Sequence, residues 1–173
     1  MSPFFKSRVI LTGTPAPNGY EDLYNLFLND ELPDSFRIIG FARRDKNDQI
    51  WRSELEESNR NNSRSGHDEE KWDEFSKSLF YFRGDLNSEE SFSDLKKCIT
   101  GHETKEPTFH NRLFYLSTAP DFFSVVLDNL KEAQLNLSPK KGWSRVIIEK
   151  PFGSNLGTAQ NLNRIVNDTN NFL

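Results

Sequence analysis

The segment "RVIIEKPFGSNLGTAQNLN", Arg145–Asn163, joins two periodicities in nineteen residues. Val146, Ile147 and Ile148 form a β-branched apolar run, the composition of a pleated strand. The run does not alternate with polar residues, which fits a parallel strand covered on both faces. It ends on Glu149 and Lys150, locked against Pro151. A residue preceding proline is held extended, so Lys150 projects from the strand's carboxyl end. Gly153 lets the chain turn closely beneath, and Ser154 suits the cap of a last helix through Val166. The segment is a strand, a tight turn and a helix.

Strand and helix patterns also alternate through the rest of the chain. "RVILTG", 8–13, reads as a buried strand stopped by Gly13. Pro15, Pro17 and Gly19 are expected to forbid regular structure, and Leu23, Leu26 and Phe27 then follow helical spacing. "FRIIGFA", 36–42, is a second strand, followed by a polar helix over 45–58 with Ile50, Trp51 and Leu55 on one side. Residues 59–68 read as a loop. A helix over 69–79 carries Trp72, Phe75 and Leu79, and "FYFRGD", 80–85, is the third strand. A helix over 88–99 carries Phe92, Leu95 and Ile99; 100–111 is a loop and 112–117 the fourth strand. Ala119-Pro120 opens a helix with Phe123, Val126, Leu127 and Leu130 inward. Strands and helices alternate five times, without internal repeat. The fold class is α/β: a Rossmann-like doubly wound parallel sheet in three α/β/α layers, with right-handed crossovers. The expected organisation is a tail over 1–7, one domain over 8–166 and a tail over 167–173.

The totals agree with a single soluble domain. A chain of 173 residues buries roughly 70% of its unfolded surface. Hydrophobic residues make up 35% and charged residues 28%, so the chain is neither disordered nor membrane-embedded. A net charge of −4 argues against a nucleic-acid surface. Cys98 is the only cysteine, which rules out an internal disulfide and fits a cytoplasmic protein. Set in a helical pattern, it reads as a small hydrophobe rather than a nucleophile. No secretory signal or membrane span is expected. His67, His102 and His110 fall in polar loops without ligand spacing, so no metal site is expected.

In a doubly wound sheet the ligand lies beyond the carboxyl ends of the strands. The first end, "GTPAPNGYEDL", offers Gly13 and Gly19 but not three glycines, and Pro15 and Pro17 have no N–H to donate. It is either a phosphate turn or an ordinary strand-to-helix loop. The second end carries Arg43 and Arg44. An acidic residue there would accept a ribose 2′-hydroxyl, whereas an arginine suits a 2′-phosphate. The alternative is a solvated basic pair. The fifth end delivers Lys150, a compact donor for a phosphate or sugar hydroxyl, or a plain surface lysine.

Four segments together, "LYNLFLNDELPDSFRIIGFARR", "LFYFRGD", "NRLFYLSTAPDFF" and "GWSRVIIEKPFGSNLGTAQNLN", resemble the N-terminal coenzyme-binding domain of glucose-6-phosphate dehydrogenase. The resemblance spans most of 8–166. It implies NADP as coenzyme and oxidation of glucose 6-phosphate to the lactone. It places Arg43 on the 2′-phosphate, Ser117, Thr118 and Pro120 along the coenzyme with Phe123 close behind, and Glu149, Lys150 and Pro151 at the last strand end. Lys150 then touches coenzyme and sugar phosphate alike. Of the phosphate turn only Gly13 and Thr14 carry over, because the family's second glycine, aspartate and basic run have no counterpart here.

The family's R-I-D-H-Y-L-G-K segment and its antiparallel-sheet domain, with the base histidine, would follow Leu173. The expectation is therefore a truncated, coenzyme-binding domain without catalytic residues, inactive by itself and monomeric. Association with a full-length homologue is the accompanying expectation. A degenerate, noncatalytic relative acting as an interaction subunit is the alternative reading. A different oxidoreductase sharing E-K-P is disfavoured by "FRIIGFARR".

Overall fold

The computed structural model describes residues 17–62, 66–105, 111–137 and 142–148. The expected first strand over 8–13 and last helix over 154–166 lie outside them. The element order is α1 (Pro17–Leu28), β1 (Ile38–Ala42), α2 (Asp48–Asn62), α3 (Glu69–Ser76), β2 (Leu79–Arg83) and α4 (Glu89–Lys105). Then follow β3 (Arg112–Leu116), a 3-10 turn (Pro120–Phe122), α5 (Phe123–Glu132) and β4 (Ser144–Ile148).

β1 pairs parallel with β2, Ile38 opposite Leu79, and β3 pairs parallel with β4, Arg112 opposite Ser144. Side chains alternate across a strand, and here the alternation sorts the core into two layers. Ile39 and Phe41 of β1 join Phe114 and Leu116 of β3 beneath Phe92, Leu95 and Ile99 of α4 and Phe123, Val126, Leu127 and Leu130 of α5. On the opposite face, Ile38 and Leu79 meet Tyr24 of α1, Trp51 and Leu55 of α2, and Trp72 and Phe75 of α3. Helices cover both faces, which makes the chain a doubly wound α/β sheet in three layers.

Among the described residues the strands form two parallel pairs, β1 with β2 and β3 with β4, and α4 relates one pair to the other. It begins just past β2, where the Ser88 hydroxyl caps it by accepting the Ser91 N–H at 3.2 Å and the Ser91 hydroxyl accepts the Asp85 N–H at 3.1 Å. Its 17 residues carry it about 25 Å. Near its far end Glu103 receives both Nε and Nη2 of Arg112, the first residue of β3, at 2.9 Å each. The carboxyl end of β2 and the amino end of β3 therefore lie at opposite ends of one helix.

Several sequence-based boundaries shift. α1 starts at Pro17 and runs through Gly19 rather than after them; proline at the first helical position gives up an N–H that has no partner there anyway. α2 runs to Asn62, into the expected loop, and its buried stripe is Trp51, Leu55 and Asn59, while Ile50 is 47% exposed. Leu79 opens β2 instead of closing α3, because strand and helix contribute to the same apolar layer. α4 extends to Lys105, so His102 is helical, with its ring 4.4 Å from that of Phe80. His67 is mostly buried beside Asn59, 3.1 Å away.

Candidate coenzyme site at the carboxyl rim

The turn after β1 is built from its charges. Asn47 caps α2, accepting the Ile50 N–H at 2.9 Å, and starts the helix immediately beyond the rim. Within Arg43–Lys46 the cations divide. Lys46 pairs with Glu54, and Asp45 pairs with Arg83 at 3.0 Å. Arg43 and Arg44 are exposed, and neither guanidinium has an ion pair or hydrogen bond among the described residues. Their main chain is fixed nonetheless: the Tyr81 hydroxyl donates to the Arg44 carbonyl at 2.7 Å, with the Ala42 carbonyl 3.3 Å away. Two uncommitted cations stand on a pinned turn beside a helix N-terminus, an arrangement suited to an anion.

The β3 end is quieter. Ser117 and Thr118 are half-buried and Pro120 is exposed. Ala119 is extended (φ −61°, ψ 144°), as a residue before proline should be, and the 3-10 turn feeds α5. Phe123 is 2% exposed and packed in the core, and its N–H donates to the Pro120 carbonyl. Gly13, Thr14, Glu149, Lys150 and Pro151 lie outside the described residues. Arg43 follows the carboxyl end of β1, and Ser117–Pro120 follows that of β3.

Elsewhere, Cys98 is half-buried against the core, and burial pushes its thiol pKa up, with a smaller push from the Asp48 carboxylate. Among the described residues no three acidic, His or Cys side chains cluster to hold a metal ion, and no helix is long and apolar enough to cross a membrane. Sequence reading missed Tyr81 and Asp48. The one signal was a hydroxyl-bearing aromatic in the otherwise apolar "LFYF".

Residues 20–171 match the family model of the glucose-6-phosphate dehydrogenase NAD binding domain. The chain belongs to this family. It is 38% identical over 152 residues to the glucose-6-phosphate 1-dehydrogenase of Chlamydia pneumoniae, covering 86% of this chain and 30% of that one. A solved glucose-6-phosphate dehydrogenase in complex with its substrate glucose-6-phosphate superposes with a TM-score of 0.83 at 28% identity, over 98% of this chain and 36% of that one. The enzyme from Mycobacterium avium gives 0.75 at 25%, over 94% and 34%. The chain therefore spans about 30% of the length of the curated relatives it matches. It is the coenzyme-binding domain of the glucose-6-phosphate dehydrogenase family, with the Rossmann-like fold of those neighbours. The family match starts at residue 20, so Gly13 and Thr14 lie outside it and Arg43, Lys150 and the β3 end lie within.

Proposed function

We propose that this chain is the NADP-binding part of a cytoplasmic glucose-6-phosphate dehydrogenase. It spans 8–166, and the 173-residue polypeptide by itself is a monomer that binds coenzyme without turnover. The observation that carries the reading is the exposed Arg43 guanidinium just past β1, without a partner among the described residues, at the position from which an arginine meets a 2′-phosphate. Ser117, Thr118 and Pro120 line the coenzyme, with Phe123 close behind. Gly13, Thr14, Glu149, Lys150 and Pro151 complete the site, with Lys150 reaching glucose 6-phosphate. Oxidation of the sugar hydroxyl needs a base within hydrogen-bond reach of its proton, and none of the three histidines sits in a family base motif. No nucleic acid or membrane takes part.

Titrating NADP and NAD against tryptophan fluorescence tests this. NADP should bind more tightly than NAD, and Arg43→Ala should weaken NADP about tenfold or more, as loss of a charge-assisted phosphate contact does, while leaving NAD unchanged. Equal effects on both coenzymes would refute the Arg43 assignment. NADPH formation with glucose 6-phosphate should be absent, and robust turnover would refute the inactivity. One observation favours a noncatalytic interaction subunit instead: the phosphate-turn residues fall outside the family match. On that reading the chain binds neither coenzyme and co-purifies with a full-length homologue.

A further inference from the structure

The Ala42 carbonyl, in the peptide before Arg43, and the Arg44 carbonyl, in the peptide after Arg44, both lie near the Tyr81 hydroxyl, at 3.3 and 2.7 Å. Tethering the peptides that bracket the Arg43–Arg44 pair limits the directions in which their side chains leave the backbone. Tyr81 is itself held at three points. It pairs with Gly40 in the β1–β2 register, its N–H donates to Asp48 at 2.6 Å, and its ring lies 5.8 Å from that of the buried Trp51. Gly40 makes room for this: a Cβ there would sit 2.4 Å from Cζ2 of Trp51. The neighbouring Asp45 and Glu54 are occupied by Arg83 and Lys46.

We propose that Tyr81 is a positioning residue for coenzyme selection: its hydroxyl aims the Arg43 guanidinium at a 2′-phosphate and thereby sets the preference for phosphorylated over unphosphorylated adenosine ribose. The inference rests on the reading of Arg43 above. Burial holds the phenol above its ordinary pKa, against a smaller downward pull from Arg44, so it remains a donor at neutral pH.

The test uses the whole 173-residue chain and two probes, 2′,5′-ADP and 5′-AMP, with calorimetric affinities for the native protein, Tyr81→Phe and Arg43→Ala. The expected result is a native preference for 2′,5′-ADP that Arg43→Ala abolishes. Tyr81→Phe should lower it about fivefold, the scale of one hydrogen bond, with 5′-AMP affinity unchanged. A purely structural role would weaken both probes together. A native protein without preference overturns the Arg43 reading, and this inference with it. A preference that falls in Arg43→Ala but survives Tyr81→Phe overturns the Tyr81 inference alone. Tyr81→Phe keeps the ring and the Asp48 contact; a chain that unfolds on losing the hydroxyl places its role in folding and overturns the inference as well.

Discussion

Removing Glu103 should destabilise this domain more than removing any exposed carboxylate. Its side chain is 7% exposed and that of Arg112 only 3%. The two form a bidentate pair at 2.9 Å, and the remaining Nη1 of Arg112 donates to the Leu137 carbonyl at 3.0 Å. In Glu103→Ala the guanidinium stays buried without its counter-charge. Breaking a buried pair this way costs about 3–5 kcal/mol, a large share of the roughly 5–15 kcal/mol that holds a domain together. Alanine is a good helix former, so backbone propensity does not obscure the effect. The expected drop in midpoint temperature is roughly 6–20 °C for a chain of this size. Urea unfolding followed by tryptophan fluorescence gives the free energy directly. Replacing both partners together, Glu103→Leu with Arg112→Met, should recover most of the loss, because neither charge is then buried alone. The reasoning fails if Glu103→Ala changes stability no more than Glu56→Ala at the exposed Glu56–Arg60 pair, or if the double replacement is worse than the single one.

Two further outcomes follow from packing and burial. Gly40→Ala should cost about 1–3 kcal/mol by overpacking, since its methyl would lie 2.4 Å from the Trp51 ring, which the surrounding core keeps from moving aside; unchanged urea stability would refute the close approach. Cys98, its thiol pushed up first by burial and then by Asp48, should react with iodoacetamide at mildly alkaline pH more slowly in the folded chain than in urea, and equal rates would refute the shift. The sign for stability follows. The folded thiol keeps its proton beyond about pH 8.5, where an unfolded one begins to lose it, so this contribution is complete below that pH and fades above it.

What the sequence discloses here is what one residue and its near neighbours can encode. Phe92, Leu95 and Ile99 announce the buried side of α4 because a helix brings them together whatever else happens, and Arg43 announces the rim because it follows a strand by one residue. Leu79 could not be placed by the same means. Its spacing from Trp72 and Phe75 is helical, yet it begins β2, since the layer that accepts all three does not care which element supplies them. Helical spacing alone puts Ile50 beside Trp51, but adjacent helical positions stand about 100° apart, and of the two only Trp51 meets the core. The partners that decide the site and its scaffold are further off: Tyr81 is 37 residues from Arg44, and Arg52 is 27 from Leu79.

That last contact bears on the outer edge of β2. Among the described residues β2 pairs with β1 alone, and its outward groups would offer an open edge to another strand. Helix α2 closes it with side chains one turn apart: Asp48 takes the Tyr81 N–H at 2.6 Å, and Arg52 donates twice to the Leu79 carbonyl, at 2.9 and 2.6 Å. A carboxylate and a guanidinium thus occupy two of the outward backbone groups that a further strand would use. The same carboxylate holds the backbone of the tyrosine whose hydroxyl meets the Arg44 carbonyl, so the outer edge of β2 and the Arg43–Arg44 turn are tied to one first turn of helix. A change at Asp48 is therefore felt at the rim through Tyr81, with no contact between Asp48 and any ligand required.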